Sequence, residues 1–280
     1  MTKTWLITGT STGFGRALAT LLAQKADVRL VATARHPEQL DYLTPMDHGQ
    51  ILRLPLDVTQ PDQIKSVLKT VHNRWGTIDV LVNNAGIGYF GTFEESDLSA
   101  VQQMFAVNVW GLIHLTRAVL PEMRQQHVGT IVNFSSIGGL YSFPTLSYYH
   151  ATKYAVEGMS ESLEKEVRDL GIKVMLIEPS GFRTDWAGRS SQKTLPTHPD
   201  YQPLASFIQD NAQGAHHEAG DPQAAAQIIY DQVTHHQAEL PLRLPLGEFA
   251  VKTALQKVQA EAVAFKANYE LSASADRPLD

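Results

Sequence analysis

The stretch LITGTSTGFG, residues 6–15, joins a short apolar run to three glycines in the spacing GxxxGxG. The glycines are Gly9, Gly13 and Gly15, and they permit a tight turn whose backbone N–H groups can approach a pyrophosphate closely. Residues 16–24 are expected to form the next helix, with the positive end of its dipole facing that charge. A glycine-rich turn alone is often only a turn, but its position between the first strand and the first helix favours dinucleotide binding. A nucleoside-triphosphate P-loop is disfavoured, because no Gly-Lys-Ser/Thr sequence follows.

Short β-rich runs alternate with longer helical patterns through the first two thirds of the chain. The strands are predicted at residues 4–7, 29–33, 51–54, 80–82, 130–134 and 173–177. Such alternation indicates βαβ units that build a parallel sheet. We therefore expect an α/β fold with a doubly wound parallel sheet, which is a Rossmann fold in three α/β/α layers.

The amino-acid composition of the sequence changes after Asp185. The segment 185–222 is polar and rich in Gly, Pro and His, as a mobile insertion would be, and we expect it to form a substrate lid. Helical stretches are predicted around residues 222–233 and 248–268, with the short run PLRLPLG between them. The chain is expected to be a single domain, residues 1–280, with a C-terminal helical tail at residues 247–280.

The composition describes a globular protein and excludes several kinds of partner and site. Of 280 residues, 43% are hydrophobic and 19% are charged, which fits a chain with a sizeable core. The net charge is −6 and no Lys/Arg block occurs, so no nucleic-acid partner is expected. The lack of cysteine excludes disulfides and thiol nucleophiles and fits a reducing compartment. No apolar run resembles a secretory signal or a membrane span, so we expect a cytoplasmic protein without a membrane partner.

Paired histidines at residues 216–217 and 235–236 raise the question of a metal. Neither pair has carboxylate or cysteine partners at the spacing that metal sites use. Solvated surface histidines are therefore expected, and no metal site is predicted.

The end of the second predicted strand bears on which dinucleotide is bound. Folds that bind NAD tend to place an acidic residue about 20 residues after the glycines, whereas an arginine suits the 2′-phosphate of NADP. Here Arg35 stands 20 residues after Gly15, and the hydroxyls of Ser11 and Thr12 could assist. A surface arginine is a common alternative, and the nearby Glu38 complicates the assignment. NADP(H) is favoured as cofactor, with NAD(H) possible.

Two polar residues fall on the apolar faces of predicted helices. Asn108 shares a stripe with Val101 and Leu115, and a buried amide must be hydrogen-bonded or it costs about 1–3 kcal/mol. In the next long helix, Lys153 lies on the inward stripe, one turn after Tyr149. A phenol titrates near pH 10, and a neighbouring cation can lower that pKa by about 1–3 units, towards the range of general acid–base catalysis. Taken alone, Asn108 is expected to be an ordinary core residue with satisfied hydrogen bonds. For the tyrosine and lysine, a catalytic pair and a snorkelling lysine beside a packing tyrosine remain equally open.

With Tyr149-x-x-x-Lys153 in place, the sequence resembles the short-chain dehydrogenase/reductase superfamily over residues 3–185. TGTSTGFG resembles its TGxxxGxG turn, LDVT its adenine-contacting segment, and NNAG its strand-four motif. Asn108 falls in VNVWG, where family members carry a catalytic asparagine, and Ser136 lies 13 residues before Tyr149, as the family serine does. Five motifs in the family's order are far more specific than any one of them.

The resemblance implies an NAD(P)-dependent oxidoreductase that interconverts a carbonyl and an alcohol. The implied catalytic residues are Asn108, Ser136, Tyr149 and Lys153. The implied cofactor-binding residues are Gly9, Ser11, Thr12, Gly13, Phe14, Gly15, Arg35, Asp57, Val58, Asn84, Ala85, Gly86, Tyr149, Lys153, Pro179, Ser180, Phe182 and Thr184. By the same resemblance, Tyr149 is the general acid/base, and Lys153 holds the nicotinamide ribose and lowers the pKa of Tyr149. Ser136 binds the substrate oxygen, and Asn108 holds a relay water. Ser180 departs from the family, which usually has glycine there.

The run from SSIGGL to the Tyr/Lys helix looks most like the 17β-hydroxysteroid and retinol dehydrogenase branch. Aromatic and apolar residues expected near the mouth of the site indicate a lipophilic or aromatic carbonyl or alcohol; they are Tyr89, Phe90, Leu140, Tyr141, Phe143, Phe182 and Trp186. The resemblance also implies a homodimer or homotetramer paired through helices at residues 98–125 and 147–170. The alternatives are a catalytically silent NAD(P)-binding regulatory or sensor protein and an interaction scaffold on the same fold.

Overall fold

The computed structural model describes residues 2–236 and 239–276 of the chain. The strands of this part are β1 Lys3–Ile7, β2 Val28–Ala34, β3 Ile51–Pro55, β4 Val80–Asn83, β5 Gly88–Phe90, β6 Gly129–Phe134, β7 Ile172–Pro179, β8 Ser191–Lys193 and β9 Arg243–Leu246. Seven of them form one sheet in the order β3-β2-β1-β4-β6-β7-β9, and every neighbouring pair is parallel. The central strands are nearly continuous apolar runs, as expected for strands that are covered on both faces.

Helices cover both faces of this sheet. They are α1 Gly13–Ala23, α2 Pro61–Trp75, α3 Leu98–Phe105, α4 Leu112–Gln126, α5 Ser147–Val167, α6 Ala205–Gln213, α7 Pro222–His235, α8 Glu248–Ala267 and α9 Tyr269–Ala273. On one face, Leu18 of α1 and Ile229 of α7 belong to one buried core with the sheet. On the other face, Val67 of α2 and Leu115 of α4 belong to a second core. The three-layer Rossmann architecture expected from the sequence is confirmed.

The sheet has one more strand than the sequence predicts. The run PLRLPLG contains β9, which pairs with β7 so that Leu176 lies beside Arg243 and Pro179 beside Leu246. Proline removes a hydrogen-bond donor and is tolerated chiefly in edge strands. The two prolines of the run argue against a strand when only the sequence is known. The strand β9 lies at the edge of the sheet, where a proline costs little free energy.

The segment 185–222 is more regular than its polar composition predicts. Its strand β8 pairs with β5, and its helix α6 buries Ile208 completely. The Glu95 carboxylate accepts hydrogen bonds from the backbone N–H groups of Thr197 and His198 at 2.8 and 2.9 Å. These contacts hold the segment against the parallel-sheet body along one side.

Helices α3 and α4 run on from one another as a single helical stretch, residues 98–126, through a π-helical segment at Ala106–Gly111. By length and mean hydropathy (1.2) this stretch could cross a bilayer. However, Leu115, Val119 and Met123 pack in the core beneath the sheet, as in the core helix of a globular protein. Further along the chain, the predicted C-terminal tail contains α8 and α9, and its last residues, 277–280, lie outside the described residues.

Candidate active site

A cavity of about 1270 Å³ opens at the carboxyl ends of the strands, where the strand order reverses between β1 and β4. Ligands of open α/β sheets bind in the crevice at such a switch point. The predicted site residues that line it are Gly9, Ser11, Thr12, Gly13, Phe14, Arg35, Asp57, Val58, Asn84, Ala85, Gly86, Ser136, Tyr149, Lys153, Pro179, Ser180, Phe182 and Thr184. Two others, Gly15 and Asn108, are buried behind the wall instead of facing the cavity.

The glycine-rich turn is held by close packing against the end of β4. Gly9 has a φ of +69°, a conformation that side chains with a Cβ rarely adopt. A Cβ on Gly15 would lie 2.4 Å from both the Gly9 carbonyl oxygen and Asn84 Nδ2, so Gly15 lets the first turn of α1 pack directly on the loop. Asn84 Nδ2 donates to the carbonyl oxygens of Thr8 and Gly9 at 2.8 and 3.0 Å. Gly15 therefore shapes the cofactor loop without lining the cavity.

Basic side chains gather at the β2 end of the cavity. Arg35 and His36 line it, and so does Arg16, which the sequence analysis did not single out. The guanidinium of Arg16 lies 4.1 Å from the centre of the Tyr42 ring, which fixes it beside the loop. Glu38 does not line the cavity and instead lies 3.4 Å from His36. The position of Arg16 directly after the last glycine of the motif is the signal that could have identified it.

Tyr149 and Lys153 lie one turn apart on α5, facing the cavity, and are only 6% and 7% exposed. Lys153 Nζ lies 5.8 Å from the centre of the Tyr149 ring and donates a 2.8 Å hydrogen bond to the carbonyl oxygen of Phe134. Burial lowers the pKa of Lys153 to about 8, and the charge of Glu157 opposes that change. The lysine is therefore held inside the protein, as its place on the inward stripe predicts, and does not snorkel to solvent.

The Tyr149 hydroxyl behaves differently from the sequence-based expectation. Burial raises the pKa of Tyr149, and a hydrogen bond with Ser136 lowers it by a smaller amount. The expectation that the neighbouring ammonium would lower this pKa is wrong for the ligand-free site, because removal of the phenol from water is the larger effect. Tyr149 is thus a protonated donor at neutral pH. Ser136 also accepts a 3.0 Å hydrogen bond from the backbone N–H of Gly138, which fixes its hydroxyl beside the tyrosine.

Asn108 lies in the π-helical segment between α3 and α4, a type of helix defect that is frequent at functional sites. Its Nδ2 donates to the Ile87 carbonyl oxygen at 2.9 Å and to Thr152 Oγ1 at 3.2 Å, and its Oδ1 accepts from the Ile87 N–H at 2.9 Å. A Cβ on Gly86 would lie 3.4 Å from Asn108 Oδ1 and 3.9 Å from Lys153 Nζ. Both polar atoms therefore border the same small space in front of Gly86.

Ser180 is accommodated on the side of the loop away from the glycine-rich turn. Its Oγ donates to the Leu246 carbonyl oxygen at 3.3 Å and packs against Gly247, where a Cβ would lie 2.4 Å from that oxygen. Further along, the Phe182 ring packs 4.9 Å from that of Phe14. The family glycine can be a serine here because Gly247 leaves room for the hydroxyl.

Aromatic rings form the other end of the cavity. Of the seven residues predicted at the mouth, Tyr89, Phe143, Phe182 and Trp186 line it. Phe90 is fully buried behind Trp186, and Leu140 and Tyr141 do not line the cavity. Phe207 of α6 and Phe249 of α8 complete the wall. The sequence analysis missed these two because nothing in the sequence indicates that α6 and α8 approach the sheet at this point.

The geometry defines a class of protein: an α/β fold with a glycine-rich turn at its switch point, whose cavity is lined by a serine, a tyrosine and a lysine. The family model of the short chain dehydrogenases matches residues 3–195. An oxidoreductase of Botryotinia fuckeliana (strain B05.10) is 37% identical over 255 residues, or 91% of this chain and 92% of that protein. A 3-ketodihydrosphingosine reductase of Bacteroides thetaiotaomicron is 35% identical over 197 residues, or 70% of each protein.

Solved structures agree with these relatives. The crystal structure of a short-chain dehydrogenase from Streptomyces avermitilis is 37% identical, with a TM-score of 0.90 over 98% of both chains. The structure of ElxO with NADP bound is 26% identical, with a TM-score of 0.74 over 90% of this chain and 100% of that one. The chain belongs to the short-chain dehydrogenase/reductase family and is an NAD(P)-dependent oxidoreductase.

Proposed function

We propose that this protein uses NADP(H) to interconvert a lipophilic ketone or aldehyde with its alcohol, with Tyr149 as the general acid/base. The observation that carries this proposal is the buried Tyr149–Lys153 pair, which faces the dinucleotide cavity next to Ser136. Burial of an ammonium next to a phenol costs free energy, and buried groups of this kind are concentrated at functional sites. A catalytic role accounts for that cost.

The cavity fits a nicotinamide dinucleotide. The positive φ of Gly9 and the packing of Gly15 leave a turn whose backbone can approach a pyrophosphate, and Thr184 closes over Gly13. Arg16 and Arg35 line the end of the cavity next to β2 and would pair with a 2′-phosphate. When bound, the nicotinamide would supply or accept the hydride. The two arginines are the reason to favour NADP(H) over NAD(H).

The side chains of the site would move the proton. Tyr149 is protonated at neutral pH and would donate its proton to a substrate oxygen during reduction. Ser136, fixed by Gly138, would hydrogen-bond the same oxygen and stabilise the charge that develops there. The Lys153 ammonium would stabilise the tyrosinate that forms and bind the nicotinamide ribose. In the reverse direction, Tyr149 would accept the proton.

Reprotonation of the site would pass through Asn108. Asn108 Oδ1 and Lys153 Nζ border the space in front of Gly86, and one lone pair of Oδ1 is free after its bond to the Ile87 N–H. A water in that space would connect Lys153 to solvent. The side chain of Asn108 also ties the π-helical segment to Ile87, so its substitution would disturb both the relay and the cavity wall.

The aromatic wall supports a lipophilic substrate. Five aromatic residues line the cavity outside the glycine-rich turn: Tyr89, Phe143, Trp186, Phe207 and Phe249. The Bacteroides thetaiotaomicron relative is named for a ketone on a long-chain base, which agrees with an apolar substrate. We expect aryl ketones, long-chain 3-ketones or steroids to be reduced faster than small polar sugars. A higher kcat/KM for the sugars would contradict the substrate class but not the catalytic assignment.

The decisive experiment pairs two neighbouring tyrosines. Tyr149→Phe should fold and bind NADPH within about twofold of the wild-type affinity, while kcat falls by about 10²–10⁴-fold, the usual contribution of a general acid. Tyr148→Phe is the matched control, because the Tyr148 hydroxyl donates to the Phe93 carbonyl oxygen outside the cavity. Its kcat should stay unchanged. Full activity in Tyr149→Phe would rule out the general-acid role.

A catalytically silent sensor is the less favoured function. A sensor needs only the cofactor loop, whereas Ser136, Tyr149 and Lys153 converge on one cavity here.

Association through α3, α4 and α5 is proposed as well, because Phe93 and Trp110 are 68% and 55% exposed beside Tyr148 on that surface. The size of the assembly, dimer or tetramer, stays a prediction. The cytoplasmic location and the subgroup of the family stay predictions too.

A further inference from the structure

A buried cluster of charged groups lies directly behind the Tyr149–Lys153 pair. Glu157 follows Lys153 by one turn on α5, Glu178 lies on β7 and Arg243 on β9. Arg243 Nη1 contacts the Glu157 carboxylate and lies 3.1 Å from Glu178 Oε1, and Arg243 Nη2 lies 3.0 Å from Glu161 Oε2. Glu157 and Glu178 are 4% and 0% exposed. The proposed reaction uses none of these carboxylates, so their burial needs another explanation.

Among the described residues, the contacts of this cluster leave two buried carboxylate oxygens without a partner. Arg243 contacts the buried Glu157 and Glu178 and also the partly exposed Glu161, which has a second ion pair with Lys165 at 2.9 Å. With every acid ionised, Glu157 Oε1 and Glu178 Oε2 would have no hydrogen-bond donor within the described chain. The two carboxyl groups lie within hydrogen-bonding reach of each other, which one shared proton would satisfy. Such a proton gives the two buried acids a hydrogen bond with each other.

Glu157 also lies beneath the loop that carries Ser136, although it does not line the cavity. A Cβ on Gly139 would lie 3.0 Å from Glu157 Oε1 and 2.6 Å from Ser135 Oγ, so these two oxygens point into one space beneath the Ser136 loop. Ser135 Oγ has no hydrogen-bond partner within the described chain either. The carboxylate thus approaches Lys153 from the side opposite to Tyr149, because the three residues follow one another at four-residue intervals on one helix face.

We propose that Glu157 is a positioning residue of the active site, which keeps the Lys153 ammonium charged inside the protein while Glu178 carries the proton that these two buried acids share. This inference rests on the proposed function for its catalytic meaning. Arg243 anchors Glu157 from β9, the edge strand, so the last strand of the sheet acts on the catalytic lysine through one carboxylate. Tyr149 would then lose its proton next to a charged Lys153 ammonium.

The direction of each pKa shift agrees with this arrangement. The titratable or charged groups that face Lys153 and Glu157 are Tyr149 on the same helix, Glu178 from β7 and Arg243 from β9. Burial lowers the pKa of Lys153 to about 8, and Glu157 acts in the opposite direction. Burial raises the pKa of Glu178, and repulsion by Glu157 adds to that increase, whereas Arg243 opposes it. Loss of Glu157 would remove the charge that keeps Lys153 protonated near neutral pH.

The test compares Glu157→Gln with Glu161→Gln in the full-length, ligand-free protein labelled with ¹³Cε-lysine. The Lys153 resonance, assigned by its loss in Lys153→Met, is titrated from pH 6 to 11. We expect Glu157→Gln to weaken proton binding by Lys153 about tenfold, whereas Glu161→Gln, which also loses an Arg243 contact, leaves it within twofold. An unchanged Lys153 titration in Glu157→Gln would overturn the proposal. Because no turnover is needed, this result is independent of whether the wild type reduces any carbonyl.

A second variant keeps the proposal testable if Glu157→Gln fails to fold. Glu178→Gln imitates the protonated acid, so it should leave the Lys153 titration and the alkaline limb of the kcat profile within twofold of wild type. A tenfold weakening of proton binding in Glu178→Gln would mean that Glu178 is ionised and would also overturn the proposal. In the active enzyme, Glu157→Gln should move the alkaline limb of the kcat profile to lower pH. A uniform loss of kcat at every pH would indicate a purely structural role.

Discussion

Substitution of Gly15 by alanine tests how tightly the cofactor loop is built. The new Cβ would lie 2.4 Å from the Gly9 carbonyl oxygen and from Asn84 Nδ2, so at least 0.6 Å of movement (3.0 − 2.4 Å) is needed to reach the closest distance that real Cβ atoms keep. One neighbour is backbone and cannot rotate away. Movement would also break the 3.0 Å hydrogen bond from Asn84 Nδ2 to Gly9.

The expected decrease in the free energy of unfolding of Gly15→Ala follows from three effects of different size. Overpacking costs about 1–3 kcal/mol. Loss of the Asn84 hydrogen bond adds about 1 kcal/mol. The preference of a helix for alanine over glycine returns up to about 1 kcal/mol. The free energy of unfolding should therefore fall by about 2 kcal/mol, and Tm by roughly 4–8 °C for a chain of this size.

The assay combines thermal unfolding with NADPH binding followed by fluorescence. Gly15→Ala should lower Tm and weaken NADPH binding at least tenfold, because the displaced loop can no longer present its N–H groups to the pyrophosphate. Gly158→Ala is the control: no atom lies within 4 Å of its new Cβ in the middle of α5, so it should stabilise the protein by about 0.5–1 kcal/mol. A Tm and an affinity for Gly15→Ala equal to those of the wild type would refute the packing argument.

Three further outcomes are expected. Arg35→Ala should weaken NADPH binding about tenfold and leave NADH binding unchanged, since it removes a charged partner of the 2′-phosphate; an equal loss for both cofactors would contradict this role. Ser180→Gly should leave cofactor affinity unchanged and lower the free energy of unfolding by no more than about 1 kcal/mol, because the hydroxyl donates to the Leu246 carbonyl oxygen and packs against Gly247; thermal unfolding and NADPH titration check this. Hydrogen bonds from Thr197 lower the pKa of Glu95 from its ordinary value of 4.5 to about 2, so its contribution to holding the 185–222 segment in place is present above pH 4.5 and is lost as pH falls towards 2. Limited proteolysis of the 185–222 segment should be faster in Glu95→Gln than in wild type at pH 7, and the two rates should converge with acid; equal rates at pH 7 would count against this latch.

The sequence predicted the six core strands and the cavity residues because both follow from local rules. An apolar run after a turn reads as a buried strand, and the four-residue interval between Tyr149 and Lys153 places both on one helix face. The strand β9 escaped prediction because Pro245 is acceptable only at a sheet edge, and the edge is a property of the whole sheet.

The electrostatics of the site could not be predicted for a related reason. The cation beside Tyr149 was visible in the sequence. However, the desolvation of Tyr149 depends on Trp186, a residue of a distant segment whose ring packs at a tilt of 53° with its centre 4.8 Å from that of Tyr149. Likewise, Arg243 joins Glu157 to Glu178 only after β9 pairs with β7. Long-range packing determines both the desolvation of Tyr149 and the contacts of Arg243. No short stretch of the sequence contains that information.

The packing of Trp186 against Tyr149 gives the protein a fluorescent reporter of its own. The indole lies in the wall of the cavity beside Tyr149, whereas Trp5 is buried in the core under the sheet and Trp110 is exposed on the helical surface. Emission from Trp186 should respond to whatever occupies the mouth, so a variant that keeps this indole and replaces the other tryptophans would follow substrate arrival in real time without a dye.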